Sequence, residues 1–298
     1  MPTNRRLGLR APVRRRKAPN WQTVTSVVTA VTAAGALVFT GLSLQATRDQ
    51  VTVALKQHEL TEQGQVTDRY TKAVEQLGKA GPENLHSRLG AVYALERLGR
   101  DSPRDQTTVL EVLLAFVRTT AQGVPDDSPA RREKCGATTV DVQAALTVLG
   151  RRDPQQDRGF KFDLRRLCLA GVNLTEASLE GADLRGSVLS EALLLRTNLS
   201  RAQLDHTDLF RVQADDARFV SASLSSAVFS SALLERTDFT GATLSYAKMT
   251  ETYLKNAILD RASLNSTDLS GARLHDAKHH RTRVEGVVVN DQTEGEWW

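Results

Sequence analysis

Large rings are scarce in this 298-residue chain: aromatic side chains make up only 5% of it. Much of the apolar content is Ala or Leu, which suits stacked repeats better than one core built around rings. No Pro follows Pro154, so no residue in the C-terminal half withholds its N–H from a ladder. The two cysteines, Cys135 and Cys168, are too few for a disulfide framework and show no metal-ligand spacing. Free thiols are expected, with a Cys135–Cys168 bridge the alternative if this part faces an oxidising compartment. There is no nucleophile–base motif, phosphate loop or paired-cysteine metal site. These absences point away from an enzyme and from a cofactor, a metal or a small-molecule substrate.

Charge of one sign is confined to one end. The net charge is +4, yet Arg5, Arg6, Arg10, Arg14, Arg15, Arg16 and Lys17 all precede residue 20, with no acidic residue among them. Without this tail (residues 1–20) the chain is nearly neutral, so its basicity does not describe a nucleic-acid-binding surface.

Behind the tail, Val24–Leu44 carries no charged residue. About 20 apolar residues match the hydrocarbon core of a bilayer, and a helix absorbs Ser and Thr hydroxyls by bonding them to its own carbonyls. Residues 21–44 are therefore expected to form a single transmembrane helix. Two other readings compete with it. A cleaved signal peptide would use Ala34-Gly35-Ala36, yet the apolar run continues past that point. A buried soluble helix is seldom uncharged on every face. Downstream, Arg48 and Lys56 are interleaved with Asp49 and Glu59. The positive-inside rule thus puts the N-terminus in the cytoplasm and the remainder outside it.

Residues 45–152 read as a helical stalk followed by a small helical module. Val51, Leu55, Val66, Tyr70, Ala73, Val74 and Leu77 fall at helical spacing, and Gly78 and Gly81-Pro82 end that helix. Three more helices are expected, over Leu85–Leu98 with a stop at Gly99, over about Gln106–Thr119, and over Val140–Leu149. The strings GQVTDRYTKAVEQLG (Gly64–Gly78), RLGAVYALERLGRDSP (Arg88–Pro103) and DVQAALTVLGRR (Asp141–Arg152) resemble a module of actinobacterial, membrane-linked pentapeptide-repeat proteins. That resemblance implies no activity. Asp68, Arg69, Glu75, Glu96 and Arg97 are read as ion pairs on and between helices.

The rest of the chain, 153–298, is dominated by a period of five. From Leu164 to Leu274 every fifth residue is Leu, Phe or Met, with Ala214 the one exception, and the phase holds for (274 − 164)/5 + 1 = 23 units. Two residues before each centre stands a second regular position, mostly Ala or Thr. At Ala214 its occupant, Val212, restores the lost volume. A period of five fits neither helix nor flat strand, so the chain must turn once per unit. Four units close a square coil with both regular positions inward. Gly171, Gly181, Gly186, Gly241 and Gly271 fall two residues after a centre, at the corner. Nearly six coils about 4.8 Å apart give a rod on the order of 27 Å long. The pattern resembles the pentapeptide-repeat family, which implies an α + β-solenoid chain: a right-handed quadrilateral β-helix, repeats about 162–284, with a C-terminal cap. Trp297-Trp298 could cap that end, and the fourth helix with Asp153–Gly159 the start.

Two features bear on function. His275, Asp276, His279 and His280 would suit a metal only on a helix; in solenoid phase they diverge, as in a worn last coil. The second is the residue before each centre. The family usually has Asp or Asn there, whereas this chain has Val188, Leu193, Val228, Leu233, Tyr253 and Ile258. Positions 20 apart share a face, so Leu193, Leu233 and Tyr253 form one column and Val188 and Val228 the next. Together they suggest a docking patch for a protein partner or a second copy. The resemblance also implies an alternative, DNA mimicry that protects gyrase. That role needs an acidic rod, but Lys161–Lys278 holds 14 basic and 15 acidic residues, a net of −1. A single-pass, membrane-tethered interaction scaffold is the expectation.

Overall fold

The computed structural model describes residues 20–123, 131–157 and 159–295. The basic tail and Trp297-Trp298 lie outside the described residues. Two compact units emerge, Met1–Gln65 and Val66–Trp298.

Helix α1 (Trp21–Leu77) begins in the first unit and ends in the second. It is long and apolar enough to cross a membrane, and Val27, Val31, Leu37 and Phe39 are all exposed on it. The hydroxyls of Thr25, Thr29, Thr32 and Thr40 each donate to the carbonyl four residues back, which removes free donors from an apolar segment.

In the second unit, the end of α1 is followed by a 3₁₀ turn (Pro82–Asn84), then α2 (Leu85–Asp101), α3 (Gln106–Thr120), a short α4 (Arg131–Lys134), α5 (Val140–Gly150) and a second 3₁₀ turn (Pro154–Gln156). Ala73 and Leu77 of α1 join Val92 and Leu95 of α2, Val109, Leu113 and Val117 of α3 and Leu146 and Leu149 of α5 in one core. Gly99 does not stop α2, as the sequence suggested. The helix runs two residues further, to Asp101, and the Ser102 N–H still donates to the Leu98 carbonyl at 2.9 Å. Glu96 bridges Arg100 and Arg151, and Arg97 pairs with Asp101. These residues are thus helix-surface and interhelix ion pairs.

Beyond Phe162 the chain winds with four sides per turn. The centres on face 1 are Leu164, Leu184, Leu204, Leu224, Leu244 and Leu264. Face 2 carries Leu169, Leu189, Leu209, Phe229, Met249 and Leu269. Face 3 carries Leu174, Leu194, Ala214, Leu234, Leu254 and Leu274, and face 4 carries Leu179, Leu199, Phe219, Phe239 and Leu259. All are buried, as are Ala177, Ala182, Ala192, Thr197, Thr207 and Val212 at the small position. Parallel bridges pair each residue before a centre with the one 20 further on, as in Ser178↔Asn198 and Asn198↔Arg218.

These pairings are isolated bridges; among the described residues no run forms a strand. The cause is the length of a side. In nearly every unit the third residue after the centre, which is the next small position, closes a turn: Ala182 N–H donates to the Leu179 carbonyl at 3.1 Å. The corner residue two after every centre, from Arg166 to Gly286, has a positive φ, as a type II turn requires. That is (286 − 166)/5 + 1 = 25 corners, of which 19 are not glycine. Two of five residues are thus spent on turning. The remaining amides still pair between coils, as in Leu179 N–H to Asn198 (2.8 Å), Gly181 N–H to Ser200 (2.9 Å) and Asn198 N–H to Ala177 (2.9 Å). Left-handed backbone costs a non-glycine residue roughly 1 kcal/mol, and these inter-coil bonds hold it in place.

In many units a side chain caps the N–H of the residue after the centre. Asp or Asn before the centre does this within its own unit, as Asn198 does for Ser200 and Asp238 for Thr240. Where that position is apolar, the preceding coil can supply the acceptor: Asp215 takes the Glu235 N–H at 2.8 Å, beside Leu233.

The helical module closes the open edge of the first coil. Cys168 N–H donates to the carbonyl of Ala121 and Ser178 N–H to that of Gly150. On face 3 the Gln143 amide pairs with both backbone groups of Asn173, accepting its N–H and donating to its carbonyl, each at 2.8 Å. One side chain thus stands in for a missing coil. Arg152 donates to the Ser178 carbonyl and lies over the Phe162 ring at 3.9 Å.

Candidate interaction surface

The six apolar residues before centres are not one patch. On face 3 the bridges run Leu193↔Gln213↔Leu233↔Tyr253↔Arg273. This stacks one side chain per coil at a spacing of about 4.8 Å. Leu233 is 38% and Tyr253 43% exposed, and Leu193 is half-buried. The Arg273 guanidinium lies 4.8 Å from the centre of the Tyr253 ring. On face 4, Ile258 stands alone between Asp238 and Lys278 and is half-buried.

Face 2 departs from the sequence reading. Val188 is only 3% exposed; it stands between Cys168 and Asp208, the two residues to which the segment preceding α5 is tied. That segment is fastened at both ends of the stretch. Cys135 is joined to Cys168, with their Cα atoms 5.4 Å apart, so these cysteines are not free thiols. Arg132 makes two bonds to Asp208, at 2.7 and 2.8 Å, and its guanidinium lies 3.9 Å over the Phe210 ring. Ala137 bridges Ala170, and both Thr138 donors reach the Ala170 carbonyl. Only Val228 remains of the face 2 pair, and it is half-buried. No pentapeptide periodicity could have revealed this cover, since it comes from outside the repeats.

Along the face 3 corner, charge alternates in sign. Arg196 bonds Glu176, and Arg236 bonds Asp216. The Arg236 bond holds the Asp216 carboxyl below the usual carboxylate range. At the far end of the coil, His275 Nε2 lies 2.9 Å from Glu294 and His279 and His280 are exposed. Among the described residues no group of three His, Cys, Asp or Glu side chains is placed to hold a metal.

The profile of the pentapeptide-repeat family matches residues 168–211, 217–256 and 247–278, as 8 copies, inside the coil just described. Its coil is built of pentapeptide repeats. Such repeats imply a right-handed β-helix. No curated protein matches the chain. Among solved structures it is similar to a pentapeptide repeat protein from the Arabidopsis thaliana thylakoid lumen, at 24% identity over 36% of this chain and with a TM-score of 0.27. The chain spans 61% of the length of that protein. It is also similar to QnrB1, a plasmid-mediated fluoroquinolone resistance protein, at 12% identity over 41% of this chain and 77% of the other, with a TM-score of 0.29. A third is Rfr23 from the cyanobacterium Cyanothece 51142, at 23% identity over 48% of this chain and 74% of the other, with a TM-score of 0.20. The repeat match, rather than these superpositions, identifies the coil.

Proposed function

We propose that this protein is a non-enzymatic scaffold, anchored by Val24–Leu44 and facing away from the cytoplasm, whose pentapeptide coil docks a protein partner along face 3. The observation that carries this reading is the face 3 column: Leu193, Leu233 and Tyr253 at 20-residue register, two of them well exposed. A column of apolar side chains on a rigid rod, interrupted once by Gln213, offers a partner little conformational entropy to lose. Its rim of Arg196, Arg236 and Arg273 fits the polar surround of a docking surface.

Two further observations support the anchor and its orientation. The basic tail precedes an apolar helix and no comparable charge follows it. The Cys135–Cys168 bridge is chemistry that persists in oxidising compartments. DNA mimicry is the weaker reading. Arg196 and Arg236 interrupt the acidic row on the face 3 corner, and the coil is nearly neutral.

Changing Leu193, Leu233 and Tyr253 together to Ser tests the proposal. Circular dichroism should be unchanged, because these side chains point out of the coil, while any partner that co-purifies from detergent-solubilised membranes should be lost. Retention of the same partners at the same yield would rule face 3 out.

A further inference from the structure

We infer that a recess where α3 meets the first three coils binds a phosphate group. Its lining is Arg118 of α3 together with Arg165, Arg166, Arg185, Asp205 and His206 of the coil, around Gly186, and it encloses about 590 Å³. That is a volume within the range of small-ligand sites.

The recess has a structural origin in the repeat. Arg166, Gly186 and His206 occupy one corner column in three successive coils. Coils lie about 4.8 Å apart, so the missing side chain at position 186 leaves a notch about 10 Å wide between two long neighbours. A Cβ there would already come within 3.4 Å of Arg166 Cγ. The backbone does not demand glycine: Ser221, Ser226, Ser231 and Ser266 hold the same left-handed corner at φ 56–58°. Glycine at this corner is thus spent on space.

The charges around the notch do not balance. Arg118 bonds Asp163; Arg165 bonds Asp163 and lies near Asp183; Arg185 bonds Asp183. Arg165 and Arg185 each commit Nε and Nη2 to a carboxylate, which fixes the guanidinium and leaves Nη1 to donate elsewhere. Asp205 is already engaged by Ser223 and by the Ser225 N–H. Among the described residues, four arginines against Asp163, Asp183 and Asp205 leave one positive charge over, from 4 − 3 = 1. Fixed guanidinium groups with spare donors and a surplus positive charge fit a tetrahedral oxyanion, which accepts several N–H bonds at once. The phosphate could be that of a small soluble metabolite or of a lipid or polymer headgroup, a monoester in the first case and a diester in the second.

Full-length protein in non-ionic detergent, at about 0.15 M salt, is titrated calorimetrically with pyrophosphate, glycerol 3-phosphate and glycerophosphoglycerol. Saturable binding of at least one is expected; pyrophosphate probes the bare phosphate chemistry, glycerol 3-phosphate marks a soluble monoester and glycerophosphoglycerol a headgroup diester. Arg166→Gln and Gly186→Ser should each weaken that binding by about tenfold or more. Gly181→Ser, at an equivalent corner with nothing within 4 Å of the added atom, should leave it unchanged. Absence of binding by all three probes overturns the inference. So does binding that neither Arg166→Gln nor Gly186→Ser weakens. The result is independent of face 3, so either proposal can fail alone.

Discussion

Replacing Phe229 by Ala should be the most damaging single truncation in the coil. Three of its centres are rings: Phe219 and Phe239 stack at 5.1 Å and 10° on face 4, and Phe229 meets both edge-on from face 2 at 6.0 Å. All three are fully buried. Truncating a buried Phe to Ala costs roughly 3–5 kcal/mol, and each ring pair adds about 0.5–1.5 kcal/mol beyond area. The walls cannot collapse easily, because Leu209, Phe229 and Met249 are tied by bonds such as Phe229 N–H to Lys248 at 2.7 Å and Leu209 N–H to Val228 at 2.7 Å. The upper part of the range, about 4–5 kcal/mol, is therefore expected. Val228→Ala, one residue earlier and half-buried, should cost no more than about 1 kcal/mol. Urea denaturation followed by far-UV circular dichroism measures both. Because each coil touches only its neighbours, hydrogen exchange should also show lost protection centred on residues 209–249 first. Equal costs at 228 and 229 would refute the inward phase of the centres.

Two further outcomes test the cap. A Cβ added at Gly150 would lie 2.7 Å from that of Ala177, so Gly150→Ala should cost about 1–3 kcal/mol and speed exchange of the Ser178 amide, which the Gly150 carbonyl now holds. Unchanged exchange at Ser178 would mean that the helix end does not rest on the first coil. At Asp141, burial by itself would raise the pKa, but bonds from Thr139, Arg88 and the Val142 N–H outweigh it and hold the carboxyl below 3.8. A depressed carboxylate contributes stability that is present above its unfolded pKa and drains away as pH falls through that value towards the folded one. The melting temperature should therefore fall more between about pH 5 and about pH 3 in the parent than in Asp141→Asn; parallel losses would contradict this.

What the sequence revealed and what it hid have different physical roots. The five-residue phase placed Leu224 inside and Ser225 outside, because an inward position repeats its demand in every coil. Helical spacing likewise located α2, α3 and α5, within three residues of their observed limits. Glycines marked the corners but understated them, since 19 other residues adopt the same positive φ once inter-coil bonds enforce it. Illegible were the contacts between the non-repeating part and the repeats. Cys135 and Cys168 stand 33 residues apart with no spacing to betray a bridge. Val188 looked as outward as Val228, yet its bridge neighbours Cys168 and Asp208 hold Cys135 and Arg132, and it is buried. Gln143 gave no sign that its amide would serve as a strand edge for Asn173. A repeat declares its own interior, but not the face on which a preceding helix settles.

The claim that the coil is tethered on the far side of a membrane is tested most directly by a topology reporter. An enzyme active only outside the cytoplasm, fused after Trp298, should be active in intact cells. A fluorescent protein that folds only inside should stay dark at the same position. Activity of the inside reporter, with silence of the outside one, would contradict the orientation drawn from the basic tail and the Cys135–Cys168 bridge.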